Sequence, residues 1–277
     1  MTIGEALKNA YQKARKDQNK KLEQELLLAF VLDCDRSFLL INHQQELSKE
    51  YLERYQELVK KLFSGWPLAY LTGEREFYGR PFLVSPATLI PRPESEMIVD
   101  IVKEEAKKYQ QAVLVDVGTG SGCLIISLAS ELGKDFKYYG LDISEKALKV
   151  AKDNAKINRV KVNFKNSNLL SGLPKQSGQL FIIANLPYLT KEQVVREVSI
   201  KKEPRSALIS GKDGFKDYRN LFEQLADRKD LRDFYLIIEI DPSQAKLAKI
   251  EANKYLPNKK VELIKDLRGK HRFAIIK

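Results

Sequence analysis

Two short stretches carry residue types that could do chemistry. One is "IIANLPYLT" (182–190), an apolar run that ends in Asn185-Leu186-Pro187-Tyr188 before the chain turns polar. An amide, a proline and an aromatic ring closing a buried strand form either an ordinary strand-to-loop transition or a cradle for something flat and polar. The other is Asp116-Val117-Gly118-Thr119-Gly120-Ser121-Gly122, at the end of the apolar run "AVLVDVG" (112–118). Glycines there tolerate positive φ and let a ligand approach the backbone closely. A dinucleotide-binding turn, G-x-G-x-x-G, would need its third glycine at 123. Position 123 is Cys, and the third glycine comes one residue early. Asp142 ends the next apolar strand, 24 residues after Gly118. An acid at that tip can accept both ribose hydroxyls of an adenosine, or assist the N-terminus of the helix that follows.

These residues need a scaffold, and the flanking pattern supplies one. Apolar runs at 112–118, 137–142, 160–166, 180–185 and 234–240 read as strands. Helical patterns separate them, including one opening at Ser144 and one with Pro242 in its first turn. "VELIKD" and "RFAIIK" follow as a closing pair with no helix between them. The expectation is an α/β fold with a mostly parallel sheet, covered on both faces, and an antiparallel last strand. Ligands of such sheets bind outside the carboxyl ends of the strands, where the two stretches and Asp142 lie.

The rest of the chain divides in the same reading. Residues 1–72 read as a small helical bundle: "LEQELLLAFVL" has apolar residues at helical spacing, and "SKEYLERYQELVKKLF" repeats the pattern with Ser48 as N-cap, until Gly65 and Pro67 break it. Residues 73–93 suit a hairpin and loop linker, and 94–277 the sheet domain.

Bulk composition narrows the function classes. The 277 residues are 43% hydrophobic and 31% charged, as in soluble globular proteins. No apolar run approaches the ~20 residues that span a bilayer. The N-terminus "MTIGEALKNAYQKARK" lacks the apolar core of a secretion signal, so a cytoplasmic location is expected. Cys34 and Cys123 are far apart and read as reduced structural thiols; His43 and His271 are too few and scattered for a metal site. Of the net charge of +11, residues 1–75 carry +1 and the remainder +10. Lys146, Lys149, Lys152, Lys156, Arg159, Lys161 and Lys165 crowd one run, which reads as a solvated helix face or as a surface facing RNA, a ribosome or an acidic protein.

The glycine loop resembles that of S-adenosylmethionine-dependent methyltransferases, whose cofactor would then rest on Gly118, Thr119, Gly120, Ser121, Gly122 and Asp142. In "NSNLL", Asn168, followed by Leu169, stands where an acid usually faces the adenine amine. "NLPY" resembles the "NPPY" signature of methyltransferases acting on planar nitrogens, whose delocalised lone pairs attack poorly. On that resemblance the Asn185 side-chain oxygen and the Leu186 carbonyl accept the two N–H bonds and aim the nitrogen. Tyr188 packs on the flat face, and Pro187 holds the turn. Asn185 thus borders both cofactor and substrate. Adenine and glutamine both offer such an NH2, and "NLPY" also resembles ribosomal RNA adenine dimethyltransferases.

Four longer stretches resemble the PrmC/HemK family, the protein-(glutamine-N(5)) methyltransferases of peptide-chain release factors. They are "LEQELLLAFVLDCDRSFLL" (22–40), "GWPLAYLTGEREFYGRPFLVSPATLIPRPESEMIV" (65–99), "EPRSALISGKDGFKDYR" (203–219) and "DLRGKHR" (266–272). The resemblance implies a monomeric methyltransferase acting on the glutamine of the Gly-Gly-Gln motif in class-one release factors. Its helical N-terminal domain would grip the release factor, with no need for direct nucleic-acid contact. Arg92 and Glu96 would shape the wall between cofactor and substrate, and Glu239 is read as structural. The chain departs from the family pattern at Leu186 (for proline), Ser210 and Asp241 (for glycine) and Asn168 (for an acid). An N(6)-adenine methyltransferase acting on RNA or DNA is the alternative, and an idle release-factor adaptor a third reading.

Overall fold

The computed structural model describes residues 1–231 and 233–277. Its described chain divides into two compact units, Met1–Gly73 with Val198–Lys202, and Glu74–Glu197 with Glu203–Lys277. The first unit is helical: α1 (Ile3–Ala14), α2 (Gln18–Leu32), α3 (Arg36–Ile41), α4 (Lys49–Phe63) and α5 (Leu68–Thr72). Ser48 caps α4 by accepting from Tyr51 N–H, as the sequence predicts. Apolar residues at helical spacing, among them Leu27, Leu28, Tyr55, Val59 and Leu62, meet in one core. Within this unit Lys202 sits over the Trp66 ring at 5.3 Å.

The second unit begins with a hairpin, β1 (Glu74–Phe77) and β2 (Arg80–Leu83), followed by α6 (Glu96–Ala106). Then come β3 (Val113–Val117), α7 (Cys123–Leu132), β4 (Lys137–Asp142), α8 (Glu145–Ile157), β5 (Asn163–Asn166), β6 (Leu180–Ala184), α9 (Lys191–Arg196) and α10 (Lys216–Asp227). The chain closes with β7 (Phe234–Glu239), α11 (Ala245–Tyr255), β8 (Val261–Lys265) and β9 (His271–Ile276). Strand order is β5-β4-β3-β6-β7-β9-β8. All neighbours up to β7 pair in parallel, and β9 is antiparallel to both β7 and β8. The antiparallel last strand is therefore present, inserted inside the edge rather than forming it.

Both faces of the central strands are buried, because alternate residues feed two cores. Val115, Val117, Ile182, Ala184 and Leu236 pack with Leu221, Phe222 and Ala248 of α10 and α11. Leu114, Phe181, Ile183 and Ile237 pack with Ile98, Val102, Ile125 and Leu128 of α6 and α7. Chain order reverses at β3: β4 and β5 lie on one side of it, β6 and β7 on the other. That reversal opens a crevice at the carboxyl ends of β3 and β6.

Two departures noted in the sequence acquire local reasons here. Asp241 caps the single 3-10 turn Pro242–Gln244 ahead of α11, accepting from Ser243 N–H at 2.9 Å. The buried Ser210 hydroxyl accepts from Asp217 N–H at 2.8 Å and so satisfies a free donor in the first turn of α10. A glycine could supply neither oxygen.

Candidate active site

Parallel register brings the strand tips level. Val117 pairs with Leu141 on one side and Ala184 on the other, and Ala184 pairs with Ile238. The residues one step on, Gly118, Asp142, Asn185 and Glu239, therefore gather along one edge, with strands ~4.8 Å apart. A cavity of about 220 Å³ opens there.

The glycine loop is held by the neighbouring strand. Gly118 and Thr119 both donate their N–H to the Leu141 carbonyl, at 2.8 and 2.9 Å. Gly120 N–H donates to one Asp142 carboxylate oxygen at 2.8 Å, and Ser144 N–H to the other at 2.8 Å. Burial pushes the Asp142 carboxyl above its usual range, against the pull of those backbone donors. Asn154, fully buried in α8, links this loop to the hairpin. Its amide donates to the carbonyls of Ser121 and Leu83 at 2.9 Å each, and its oxygen accepts from Leu83 N–H at 2.7 Å.

Asp116 lies beneath the loop at 1% exposure, accepting from the Thr119 hydroxyl at 2.6 Å. Burial, with a smaller push from the Asp142 charge, drives its carboxyl up to about 7; the Thr119 bond opposes that. The native state thus keeps this proton at pH values where the unfolded chain, at about 3.9, has lost it. Stability from this group is present below pH 4 and lost as pH rises toward 7. Asp116→Asn removes the titration. In the cofactor-free protein, the melting temperature of the variant relative to wild type should climb between about pH 4 and pH 7 and level off above that, by calorimetry. A constant difference would contradict the assignment.

The third strand tip carries the amide. Asn185 Nδ2 donates to Glu239 at 2.9 Å and to the Ser95 hydroxyl oxygen at 3.1 Å. The Ser95 and Tyr188 hydroxyls donate to the same carboxylate, at 2.5 and 3.2 Å. Glu239 is 1% exposed, and burial raises its carboxyl above the usual range. One residue on, Leu186 is 4% exposed and donates its N–H to the Tyr218 hydroxyl at 3.1 Å. That hydroxyl also bonds the carbonyls of Glu239 and Ala184. A proline at 186 would have no N–H to give. The leucine side chain reaches toward the glycine loop, where a Cβ on Gly118 would meet its Cδ2 at 2.8 Å. Tyr218→Phe should leave the Leu186 N–H and the Glu239 carbonyl without this partner. A loss of about 1–3 kcal/mol in urea denaturation is expected; an unchanged midpoint would show that water replaces the hydroxyl.

Two family signatures match this chain: the PrmC N-terminal domain over residues 5–73, and a methyltransferase domain over residues 108–204. The release factor glutamine methyltransferase of Koribacter versatilis (strain Ellin345) is 38% identical over 232 residues, 81% of each chain. That of Bacillus subtilis (strain 168) is 34% identical over 279 residues, 98% of this chain and 96% of the relative. The chain belongs to the release factor glutamine methyltransferase family. Among solved structures, the hMettl16 catalytic domain in complex with MAT2A 3'UTR hairpin 1 superposes with a TM-score of 0.56 at 15% identity, covering 83% of this chain and 80% of that one. At that identity the likeness concerns the fold alone.

Membership in this family makes S-adenosylmethionine the cofactor, and the crevice fits it. Gly118 (φ 75°) and Gly120 (φ 54°) leave the floor free of side chains. Each Asp142 oxygen, having accepted one backbone N–H, keeps lone pairs for a ribose hydroxyl.

Of the residues singled out from sequence, Gly118, Thr119, Gly120, Ser121, Asp142, Asn168, Leu169, Asn185, Leu186, Pro187 and Arg92 line the cavity. Three do not. Gly122 (φ 82°) begins α7, and a Cβ there would meet Ile126 at 2.8 Å and Ala151 at 3.2 Å, so it serves helix packing. Glu96, expected in the wall, turns away and accepts from Tyr78 N–H of the hairpin at 2.9 Å. Tyr188 stands behind the lining, with its hydroxyl on Glu239. Arg92 reaches the cavity as half of an ion pair, 2.6 Å from the buried Glu203, which also accepts from Ile90 N–H at 3.1 Å.

Ser95 and Tyr218 are not among the residues singled out from sequence, and Glu239 is read there as structural. A signal existed for the last, since a lone carboxylate ends the apolar strand "FYLIIEI". Ser95 and Tyr218 lie inside the quoted stretches 65–99 and 203–219, where only tertiary contacts distinguish them from their neighbours.

Proposed function

We propose that the protein methylates the side-chain amide nitrogen of the glutamine in the Gly-Gly-Gln motif of class-one release factors. S-adenosylmethionine, held over Gly118 to Gly120 and Asp142, supplies the methyl group. Asn185 and the Leu186 carbonyl offer two acceptors at the rim of the cavity, matching the two N–H bonds of a primary amide. Such positioning carries most of the rate, because the nitrogen sheds its proton readily once alkylated. Arg92, fixed by Glu203, borders the space beside them.

Cavity chemistry alone suits any planar NH2, adenine included. The single observation that selects glutamine is relationship over nearly the whole chain, helical N-terminal unit included, to release factor glutamine methyltransferases. The adenine alternative is not favoured. In this reading the helical unit grips the release factor, and the enzyme works as a cytoplasmic monomer. Among the described residues, no helix is long and apolar enough to cross a membrane.

The test offers labelled S-adenosylmethionine with a cognate release factor, and separately with ribosomal RNA and with DNA. Label should enter only the Gly-Gly-Gln peptide, located by mass spectrometry. Label confined to nucleic acid would overturn the proposal, and release-factor binding without any label would make the protein an adaptor.

A further inference from the structure

The carboxylate at the tip of β7 has no place in the proposed reaction as described, yet three side chains of the site converge on it. Glu239 is buried, and its oxygens accept from Asn185 Nδ2 at 2.9 Å, the Ser95 hydroxyl at 2.5 Å and the Tyr188 hydroxyl at 3.2 Å. Ser95 offers its own oxygen to Asn185 Nδ2 at 3.1 Å. The Asn185 Nδ2 thus faces two adjacent acceptors behind the site. An amide can sit in two orientations, and hydrogen-bond partners decide between them. Turned over, Asn185 would press its carbonyl oxygen against a carboxylate and give up both bonds.

We infer that Glu239, with Ser95, is a positioning residue that locks the Asn185 amide with its oxygen toward the substrate, so that the site admits only a nitrogen bearing hydrogens to donate. This inference rests on the function proposed above. Glu239 touches no substrate; it acts through Asn185. The selectivity follows from orientation: an inverted Asn185 would present N–H bonds to an N–H substrate, donor against donor. An amide carbonyl or ring acceptor is refused for the converse reason.

The experiment compares wild type with Glu239→Leu, Glu239→Gln, Ser95→Ala and Asn185→Ala, and with Glu239→Leu and Ser95→Ala each placed in the Asn185→Ala background. Glu239→Leu should lower kcat for a release factor roughly 10- to 100-fold, the range for groups that orient a site's contacting residue. KM and the Kd for S-adenosylmethionine should stay within about two-fold. Glu239→Gln should recover most of the loss, because its oxygen can still receive Asn185 while its NH2 faces the Tyr188 hydroxyl, which can accept. In the Asn185→Ala background neither Glu239→Leu nor Ser95→Ala should cost anything further. If Glu239→Leu does not fold, Ser95→Ala carries the same prediction with a smaller loss. An arm independent of substrate measures exchange of the Asn185 side-chain amide protons by NMR, assigned against Asn185→Ala: slow in wild type, faster in Ser95→Ala. Unchanged kcat in the single variants, losses that add in the Asn185→Ala background, or fast exchange in wild type would overturn the inference. Absence of release-factor methylation by wild type would instead count against the proposed function, and the exchange arm would still decide this one.

Discussion

Asn185→Ala should reduce kcat for release-factor methylation by roughly 10²–10³-fold, the loss typical when one oriented partner of the reacting group is removed. Cofactor affinity should change little, because the loop and Asp142 that carry it are held by Leu141, Ser144 and Asn154 rather than by Asn185. The variant should also fold. Asn185 is only half-buried, and its loss leaves Glu239 with donors from Ser95 and Tyr188. The informative measurement is the split: single-turnover methylation against S-adenosylmethionine binding by calorimetry. A variant that transfers methyl at the wild-type rate would remove Asn185 from the chemistry. One that loses cofactor affinity in step with kcat would make it a cofactor ligand instead.

Gly214→Ala should have the largest effect on stability. Gly214 (φ 72°) lies under the loop that follows Asn185, and a Cβ would fall 2.2 Å from the Tyr188 carbonyl oxygen and 2.6 Å from Gln244 Nε2. Gln244 Nε2 donates to that carbonyl at 2.9 Å and to the Asp213 carbonyl at 3.1 Å, so neither neighbour can swing aside without losing bonds. The left-handed backbone alone costs a non-glycine residue about 1–2 kcal/mol. Overpacking adds about 1–3 kcal/mol. Together they predict a loss of about 2–5 kcal/mol and a melting temperature lower by about 10 °C. Gly178→Ala is the control. It shares a positive φ (88°) but has nothing within 4 Å of the added carbon, so only the conformational cost should appear. Methylation should fall in Gly214→Ala at temperatures where it remains folded, since displacing Tyr188 moves the whole Asn185–Tyr188 turn. Equal melting temperatures for the two variants would refute the packing argument.

The sheet was legible because both faces of its strands are buried, which makes them near-continuous apolar runs of five or six residues. The strand read at 160–166 pairs only from Asn163, since β5 meets its single neighbour β4 over four residues. The glycine loop, Asp142 and Asn185 were legible for a different reason. They need particular residue types at fixed distances from strand ends, and a chain records such spacings directly. Glu96 shows the opposite case. Its place in the "IPRPESE" stretch suggested a wall residue, but a single turn of helix directs its carboxylate toward the hairpin. Side-chain direction at a helix start depends on what packs around it, and no spacing encodes that. Glu239 falls between: its strand-end position was visible, whereas the three donors converging on it come from residues 51, 54 and 144 positions away, too dispersed to be read as a group.

The bond from Leu186 N–H to the Tyr218 hydroxyl bears on how such enzymes are found in sequence collections. What position 186 contributes to the proposed chemistry is a backbone carbonyl, which every residue has. Its side chain only fills space beneath Gly118, and its N–H needs an acceptor that Tyr218 provides. A search pattern that insists on proline there would discard this chain for a feature the reaction does not use. A pattern that leaves the position open and asks for a hydroxyl-bearing aromatic 32 residues downstream would keep it.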